Sequence, residues 1–267
     1  MLARTQLHQW FRSMGRVLLG YSGGVDSAVL AVAGAESLGP DRFLAVIGRS
    51  PSYPESQYRQ ARTLAEQFAV PFLEMDTHEL DDPRYAANPT NRCYFCKTEL
   101  WSVLGRVARD LHFDIIIDGT NADDLGEHRP GLGAAQERQV RSPLVELGWS
   151  KSQVREVARA MGLPVWDAPA SPCLSSRIQY GLAVTPERLR QVEEAEAFLR
   201  ELGVTGDLRV RHQDSWARIE VAPEEFERVR ACRDQIESRF AALGFPRVDL
   251  DPRGYRRGSM LAAPAAS

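Results

Sequence analysis

Val17-Leu18-Leu19-Gly20-Tyr21-Ser22-Gly23-Gly24-Val25-Asp26-Ser27 is the stretch on which the fold turns. Its first five residues form an apolar strand, and the apolar residues after Val25 open a helix, so Ser22 to Ser27 is the turn between them. The freed amides at the start of a helix, joined to a glycine turn, attract anions. Gly23 and Gly24 let the backbone approach phosphate oxygens, while Ser22 and Ser27 add hydroxyl donors. No Gly-Lys-Ser/Thr follows, so this is not a Walker A loop. The plain alternative is a tight strand-to-helix turn with Asp26 or Ser27 serving as the helix cap.

Outward from this loop, short apolar strands alternate with amphipathic helices as far as Trp166. Strands are predicted at Val17–Tyr21, Phe43–Ile47, Pro71–Met75 and Asp114–Asp118, and helices at Asp26–Ser37, Glu55–Phe68, Arg92–Leu111 and Lys151–Met161. The run Ile115-Ile116-Ile117 suits a strand covered on both faces, which predicts an α/β fold with a doubly wound parallel sheet. Ser150 with Gln153 forms a capping box, and Gly39 and Gly162 stand where helices stop.

Ala168-Pro169-Ala170-Ser171-Pro172 interrupts the alternation, so residues 1–167 are expected as one domain, 168–184 as a cysteine-bearing linker and 185–267 as a smaller α+β domain. In the last, Thr185-Pro186 caps a helix running to Leu202. Paired strands are expected at Leu208–His212 and Trp216–Val221, a helix at Pro223–Leu243 and a strand at Arg247–Leu250, with the Ala/Pro-rich last six residues disordered.

The chain has 267 residues, 43% hydrophobic and 26% charged, which is enough to bury a core without disulfide support. Its net charge of -3 argues against a protein that binds nucleic acid mainly through phosphate contacts. No apolar run reaches the roughly 18 residues of a membrane span. Arg4, Arg12 and Arg16 resemble a targeting peptide, but Leu7, Trp10, Phe11 and Met14 repeat at helical spacing and lead into the first strand. A soluble cytoplasmic protein is expected.

Two further segments carry chemistry. Asp118-Gly119-Thr120-Asn121-Ala122-Asp123-Asp124 follows a predicted strand on the side where open α/β sheets bind ligands. Gly119 and Thr120 are candidates to touch a nucleotide, and Asp123 or Asp124 to position magnesium; the alternative is an Asx-rich turn without a ligand. Cys93 and Cys96 form a C-x-x-C at the start of a helix, beside Arg92 and Lys97, and Cys173 lies in an irregular segment. With that segment folded back, the three would converge. Zinc would want a fourth protein ligand, whereas three thiolates can hold a 4Fe-4S cluster with one iron open. Cys232, on a charged helix, reads as structural.

Ser-Gly-Gly-Val-Asp-Ser after a strand resembles the PP-loop of the ATP pyrophosphatase superfamily, whose members split ATP between its α and β phosphates. With NRCYFCK, DGTNADD, GLPVWDAPASPCLSSRI, LRVRH and the closing GYRRGS, nearly the whole chain is similar to the LarE family of sulfur transferases in nickel-pincer nucleotide biosynthesis. That resemblance implies ATP-dependent conversion of the carboxylates of pyridinium-3,5-biscarboxylic acid mononucleotide into thiocarboxylates, ahead of nickel insertion into the lactate racemase cofactor, and it implies a homohexamer. It also implies one of two sulfur sources: a sacrificial cysteine at Cys173, or a 4Fe-4S cluster on Cys93, Cys96 and Cys173 carrying a further sulfide. The three-cysteine pattern favours the cluster.

Arg209 and Arg211 alternate with Leu208 and Val210, so they share a strand face and are candidates to clamp a substrate phosphate or carboxylate; Arg177 and Glu220 are weaker ones. The alternative is a solvated strand face. Rival functions are a tRNA thiolase, an amidating synthetase, which would leave the cysteines unexplained, and a nucleotide-sensing iron or zinc protein without turnover.

Overall fold

A computed structural model of the protein describes residues 2–126, 130–169 and 171–256. Ala170 of the proline-rich break, Arg257 to Ser259 of the closing motif and the last six residues lie outside the described residues. The strands are β1 (Val17–Gly20), β2 (Phe43–Arg49), β3 (Phe72–Asp76), β4 (Ile115–Ile117), β5 (Leu208–His212), β6 (Trp216–Val221) and β7 (Arg247–Leu250). The helices are α1 (Leu2–Arg12), α2 (Val25–Leu38), α3 (Glu55–Gln67), α4 (Pro83–Ala86), α5 (Arg92–Asp110), α6 (Pro130–Glu137), α7 (Pro143–Glu146), α8 (Lys151–Ala160), α9 (Pro186–Glu201), α10 (Phe226–Ala231) and α11 (Arg233–Ala242).

The first four strands form a wholly parallel sheet in the order β3-β2-β1-β4. Val17 and Leu19 of β1, with Ile115 and Ile117 of β4, face a core built with α1, α2, α3 and α8; Leu18 and Ile116 face the opposite core, built with α5 and α6. Alternate residues of one apolar strand are therefore buried on opposite sides, which is why the triple isoleucine shows no polar alternation. The strand order reverses between β1 and β4, the position where sheets of this kind leave a crevice beyond the carboxyl ends of their strands. The capping box of α8 is formed, with Ser150 accepting from the Gln153 amide and Gln153 accepting from the Ser150 amide at 2.9 Å.

By their internal contacts, residues up to Asp82 with Asn91–Ser171 form one compact unit, and Pro83–Thr90 with the described residues from Pro172 form another. The grouping of 83–90 with the second unit was not readable from sequence. Its ties include the Tyr85 hydroxyl meeting the Ser175 hydroxyl at 2.6 Å, the Asn88 side-chain amide donating to the Ile178 and Gln179 carbonyls at 3.3 and 2.8 Å, and the Gly181 and Val184 amides donating to the Asn88 and Ala86 carbonyls at 3.1 and 2.8 Å.

In the second unit β5 pairs antiparallel with β6, which pairs parallel with β7. Leu199, Ile219, Phe240 and Phe245 lie in its core. The single helix expected from Pro223 to Leu243 is instead a 3-10 turn at Pro223–Glu225 followed by α10 and α11, which break at Cys232, whose φ of -98° and ψ of 14° are not helical. Cys232 packs half-buried against the core, a structural place for that thiol.

His212 ends β5 at 2% exposure, edge-on to Phe245, with Nε2 3.0 Å from the Gln191 amide oxygen. Its Nδ1 is buried without a hydrogen-bond partner among the described residues. Burial pushes its pKa down to about 4 from 6.5, and Arg188 pushes the same way. Because the folded value lies below the unfolded one, the native state resists a proton that the unfolded chain accepts. This contribution is intact above about pH 6.5 and is lost as pH falls toward 4, at about 1.4 kcal/mol per pH unit. Urea denaturation between pH 7 and 4 should show that slope shrinking in His212→Gln.

Candidate active site

The turn after β1 closes on itself. The Ser27 hydroxyl donates to the Gly24 carbonyl at 3.0 Å and lies 3.3 Å from both the amide and the hydroxyl of Ser22. Gly24 is the N-cap of α2, with no side chain capping the helix, so the capping role considered for Asp26 and Ser27 is not taken up. A 14-residue helix thus begins with its first amides directed into the loop, the partial positive charge that suits phosphate. Gly23 has φ +69°, and a Cβ there would stand 2.6 Å from the Ala61 Cβ on α3. Both the backbone conformation and the close approach demand glycine.

The second segment lies against the first. A Cβ on Gly119 would reach within 3.0 Å of the Ser27 amide nitrogen, so the backbone after β4 packs directly on the start of α2. The buried Asp118 carboxylate accepts from the Thr120 amide and hydroxyl at 3.1 and 2.8 Å and from the Ser142 hydroxyl at 2.7 Å, which fixes the Gly119-Thr120 turn. The Asn121 side-chain amide donates to Asp26 Oδ1 at 3.2 Å, and Lys151 Nζ forms an ion pair with Asp26 Oδ2. The loop Ser22–Ser27 and the turn that carries Gly119 and Thr120 therefore lie side by side beyond the carboxyl ends of β1 and β4.

Asp123 and Asp124 have local work in this arrangement. Asp123 Oδ2 accepts from the Lys151 backbone amide at 2.8 Å at the head of α8, and Asp124 Oδ2 from the Asn121 backbone amide at 3.1 Å. Lys151 and Asn121 were not singled out in the sequence. A signal for Lys151 was available: it is the first residue of α8, where the helix dipole disfavours a cation, so a lysine there calls for an anionic partner.

Cys93 is exposed in the first turn of α5 and Cys96 half-buried one turn on. Cys173, half-buried, precedes the 3-10 turn Leu174–Arg177 in the other unit. Among the described residues no group of three or more His, Cys, Asp or Glu side chains stands together as a metal site.

The arginine candidates are buried, not solvated. Arg209 and Arg211 are 6% and 5% exposed. Arg211 pairs with the fully buried Glu220 at 2.8 Å and donates to the Ser176 carbonyl at 2.9 Å. Arg177 pairs with Glu196 at 2.9 and 3.1 Å and donates to the carbonyls of Pro172 and, at 3.0 Å, Cys173. Arg209 lies over the Tyr255 ring at 5.2 Å; burial lowers its pKa, and the neighbouring Arg177 lowers it further. Arg177 and Arg211 thus brace the Cys173 turn through its backbone carbonyls while pairing with the carboxylates of Glu196 and Glu220.

The parallel sheet and the glycine loop seated on α2 define a PP-loop ATP-binding unit, and a family model described as NAD synthase matches residues 6–89. The chain is 32% identical over 249 residues to the pyridinium-3,5-bisthiocarboxylic acid mononucleotide synthase of Lactiplantibacillus plantarum, covering 93% of this chain and 90% of that protein. It is 42% identical over 256 residues to an uncharacterized protein of Synechocystis, with 95% of each chain covered. It is also 29% identical over 206 residues to the glutamine-hydrolyzing GMP synthase of Streptococcus uberis, covering 70% of this chain and 39% of that protein. The chain belongs to the LarE family of ATP-using PP-loop enzymes. No helix among the described residues is long and apolar enough to cross a membrane.

Gly23→Ala tests the loop directly. The added methyl group must displace α3 or the turn, so ATP affinity should fall at least ~10-fold in calorimetry while the far-ultraviolet circular dichroism stays that of the wild type.

Proposed function

We propose that the chain is an ATP-dependent sulfur transferase that activates the carboxylates of pyridinium-3,5-biscarboxylic acid mononucleotide and replaces a carboxylate oxygen with sulfur, as the name of its Lactiplantibacillus relative describes. The observation that carries this reading is the meeting of two loops at the reversal of strand order, where Gly119 packs on the start of α2 and Lys151 pairs with Asp26. A substrate carboxylate oxygen attacks the α phosphorus of ATP, the bond to the β-phosphate oxygen breaks, and pyrophosphate leaves. The α2 amides and the Lys151 ammonium stabilise the charge gathering on that leaving group. Asp123 and Asp124 are the proposed carboxylates for magnesium, which would supply additional neutralisation of the phosphates. A sulfur nucleophile then attacks the acyl carbon and AMP departs, leaving a thiocarboxylate. Arg209 and Arg211, with Arg177 and Glu220 beside them, are the proposed grip on the anionic groups of the pyridinium nucleotide.

For the sulfur, Cys93, Cys96 and Cys173 are proposed as joint ligands of a 4Fe-4S cluster that supplies a labile sulfide. The assignment rests on the C-x-x-C at the head of α5, on Cys173 and on the family pattern, and is decided by experiment. A cluster requires iron, its absorption and paramagnetic signals after anaerobic reconstitution, and loss of sulfur transfer in each single alanine variant. Product formation by Cys93→Ala and Cys96→Ala that stops near one sulfur per chain, with Cys173 lighter by hydrogen sulfide, overturns it in favour of a sacrificial Cys173. A homohexamer is the assembly proposed with this family.

Asp26→Ala or Ser27→Ala should nearly abolish ATP cleavage, and the wild-type products must be AMP and pyrophosphate; ADP and phosphate would refute the reading. Arg209→Ala and Arg211→Ala should raise KM for the pyridinium nucleotide more than that for ATP, with lysine only a partial rescue. Equal losses of ATP affinity would assign these arginines to the wrong ligand.

A further inference from the structure

The carbonyl of Ser22, the first residue of the loop, is held from outside the loop. Tyr53 donates its hydroxyl to it at 2.9 Å, and Gln57 on α3 donates its side-chain amide at 2.9 Å. In a planar trans peptide the C=O and the following N–H point in opposite directions. Gripping the Ser22 oxygen therefore turns the Gly23 N–H away from α3. An unheld glycine peptide would flip readily, because Gly23 itself imposes little on its neighbours.

Tyr53 is in turn held from behind. Residues 50–53 follow β2 as a turn, closed by the Tyr53 amide on the Ser50 carbonyl at 3.0 Å. Beneath that turn lies Glu79, 2% exposed. Its Oε1 accepts the hydroxyls of Ser50 and Ser52 at 2.6 Å each, and its Oε2 accepts that of Thr77 at 2.9 Å. A buried carboxylate surrounded by hydroxyl donors fixes the two loops that supply them. Burial also pushes the Tyr53 phenol up, so it remains a donor at every working pH.

We infer that Tyr53 is a positioning residue for ATP, aiming the Gly23 amide into the phosphate crevice through the Ser22 carbonyl, and that Glu79 positions Tyr53 through Ser50 and Ser52. This rests on the PP-loop reading of the crevice and adds to it the part of the chain that holds the loop in register. Neither residue touches the nucleotide in this account. Their removal changes the geometry of the loop and leaves its composition intact.

The test uses the full chain with magnesium and ATP as the probe. Tyr53→Phe keeps the ring and removes only the hydroxyl. It should weaken ATP binding by calorimetry roughly 3- to 10-fold, the range of one hydrogen bond, with pyrophosphate release falling in parallel and the melting temperature little changed. Glu79→Gln retains an oxygen that can accept from both serines and should keep most of the wild-type affinity, whereas Glu79→Ala should lose it to the same extent as Tyr53→Phe. The double variant Tyr53→Phe, Glu79→Ala should bind ATP no worse than the weaker single variant, because both act along one chain of contacts. Wild-type affinity in Tyr53→Phe, or fully additive losses in the double variant, overturns the inference. A wild-type chain that binds no ATP overturns the underlying functional reading instead.

Discussion

The contact on which the first unit depends is that of Gly119 with the first turn of α2. The two strands on either side of the reversal in order, β1 and β4, pair in parallel register from Val17 with Ile115 to Leu19 with Ile117, and their outgoing chains meet beyond the sheet. A side chain at position 119 would separate them by intruding on the Ser27 backbone. Without one, the second loop comes close enough for Asn121 to reach Asp26, and for the following segment to bring Lys151 to the same carboxylate. An apolar strand buried on both faces keeps this meeting point rigid, since β1 has no solvent side along which to shift.

The second unit uses the opposite device. Its β5 carries charges into the interior: Arg209 and Arg211 occupy strand positions that in an ordinary half-exposed sheet would face water. They are tolerated because partners are built in, Glu220 across the strand pair for Arg211 and the Tyr255 ring for Arg209. Glu196 serves twice, pairing with Arg177 and accepting the Val210 amide at 3.0 Å, which ties α9 to β5 and to the Cys173 turn together. Arginine burial of this sort costs desolvation energy, and a polar network that fixes the turn carrying Cys173 is what the fold obtains from it.

The apolar periodicity of the first 166 residues was sufficient to locate its four parallel strands and their principal helices, because strands covered on both faces and amphipathic helices each leave a pattern local to a few residues. The phosphate loop was legible for the same reason: Gly23 needs a positive φ and a bare approach to α3, and both demands fall on a single residue. Short-range chemistry also marked the caps at Ser150 and Thr185. What only the tertiary structure decided are relations between residues far apart in the chain: Lys151 on Asp26, the burial of Arg209 and Arg211, Tyr53 on the Ser22 carbonyl, and the attachment of residues 83–90 to the unit that holds Cys173. Tyr53 reads in sequence as an ordinary loop aromatic, and even where the sequence marks a side chain, as it does Lys151, Arg209 and Arg211, it does not say what that side chain meets. Its role depends on a partner brought to it by the chain's crossovers, 31 residues away for Tyr53 and 125 for Lys151, and no local pattern records that partner's position.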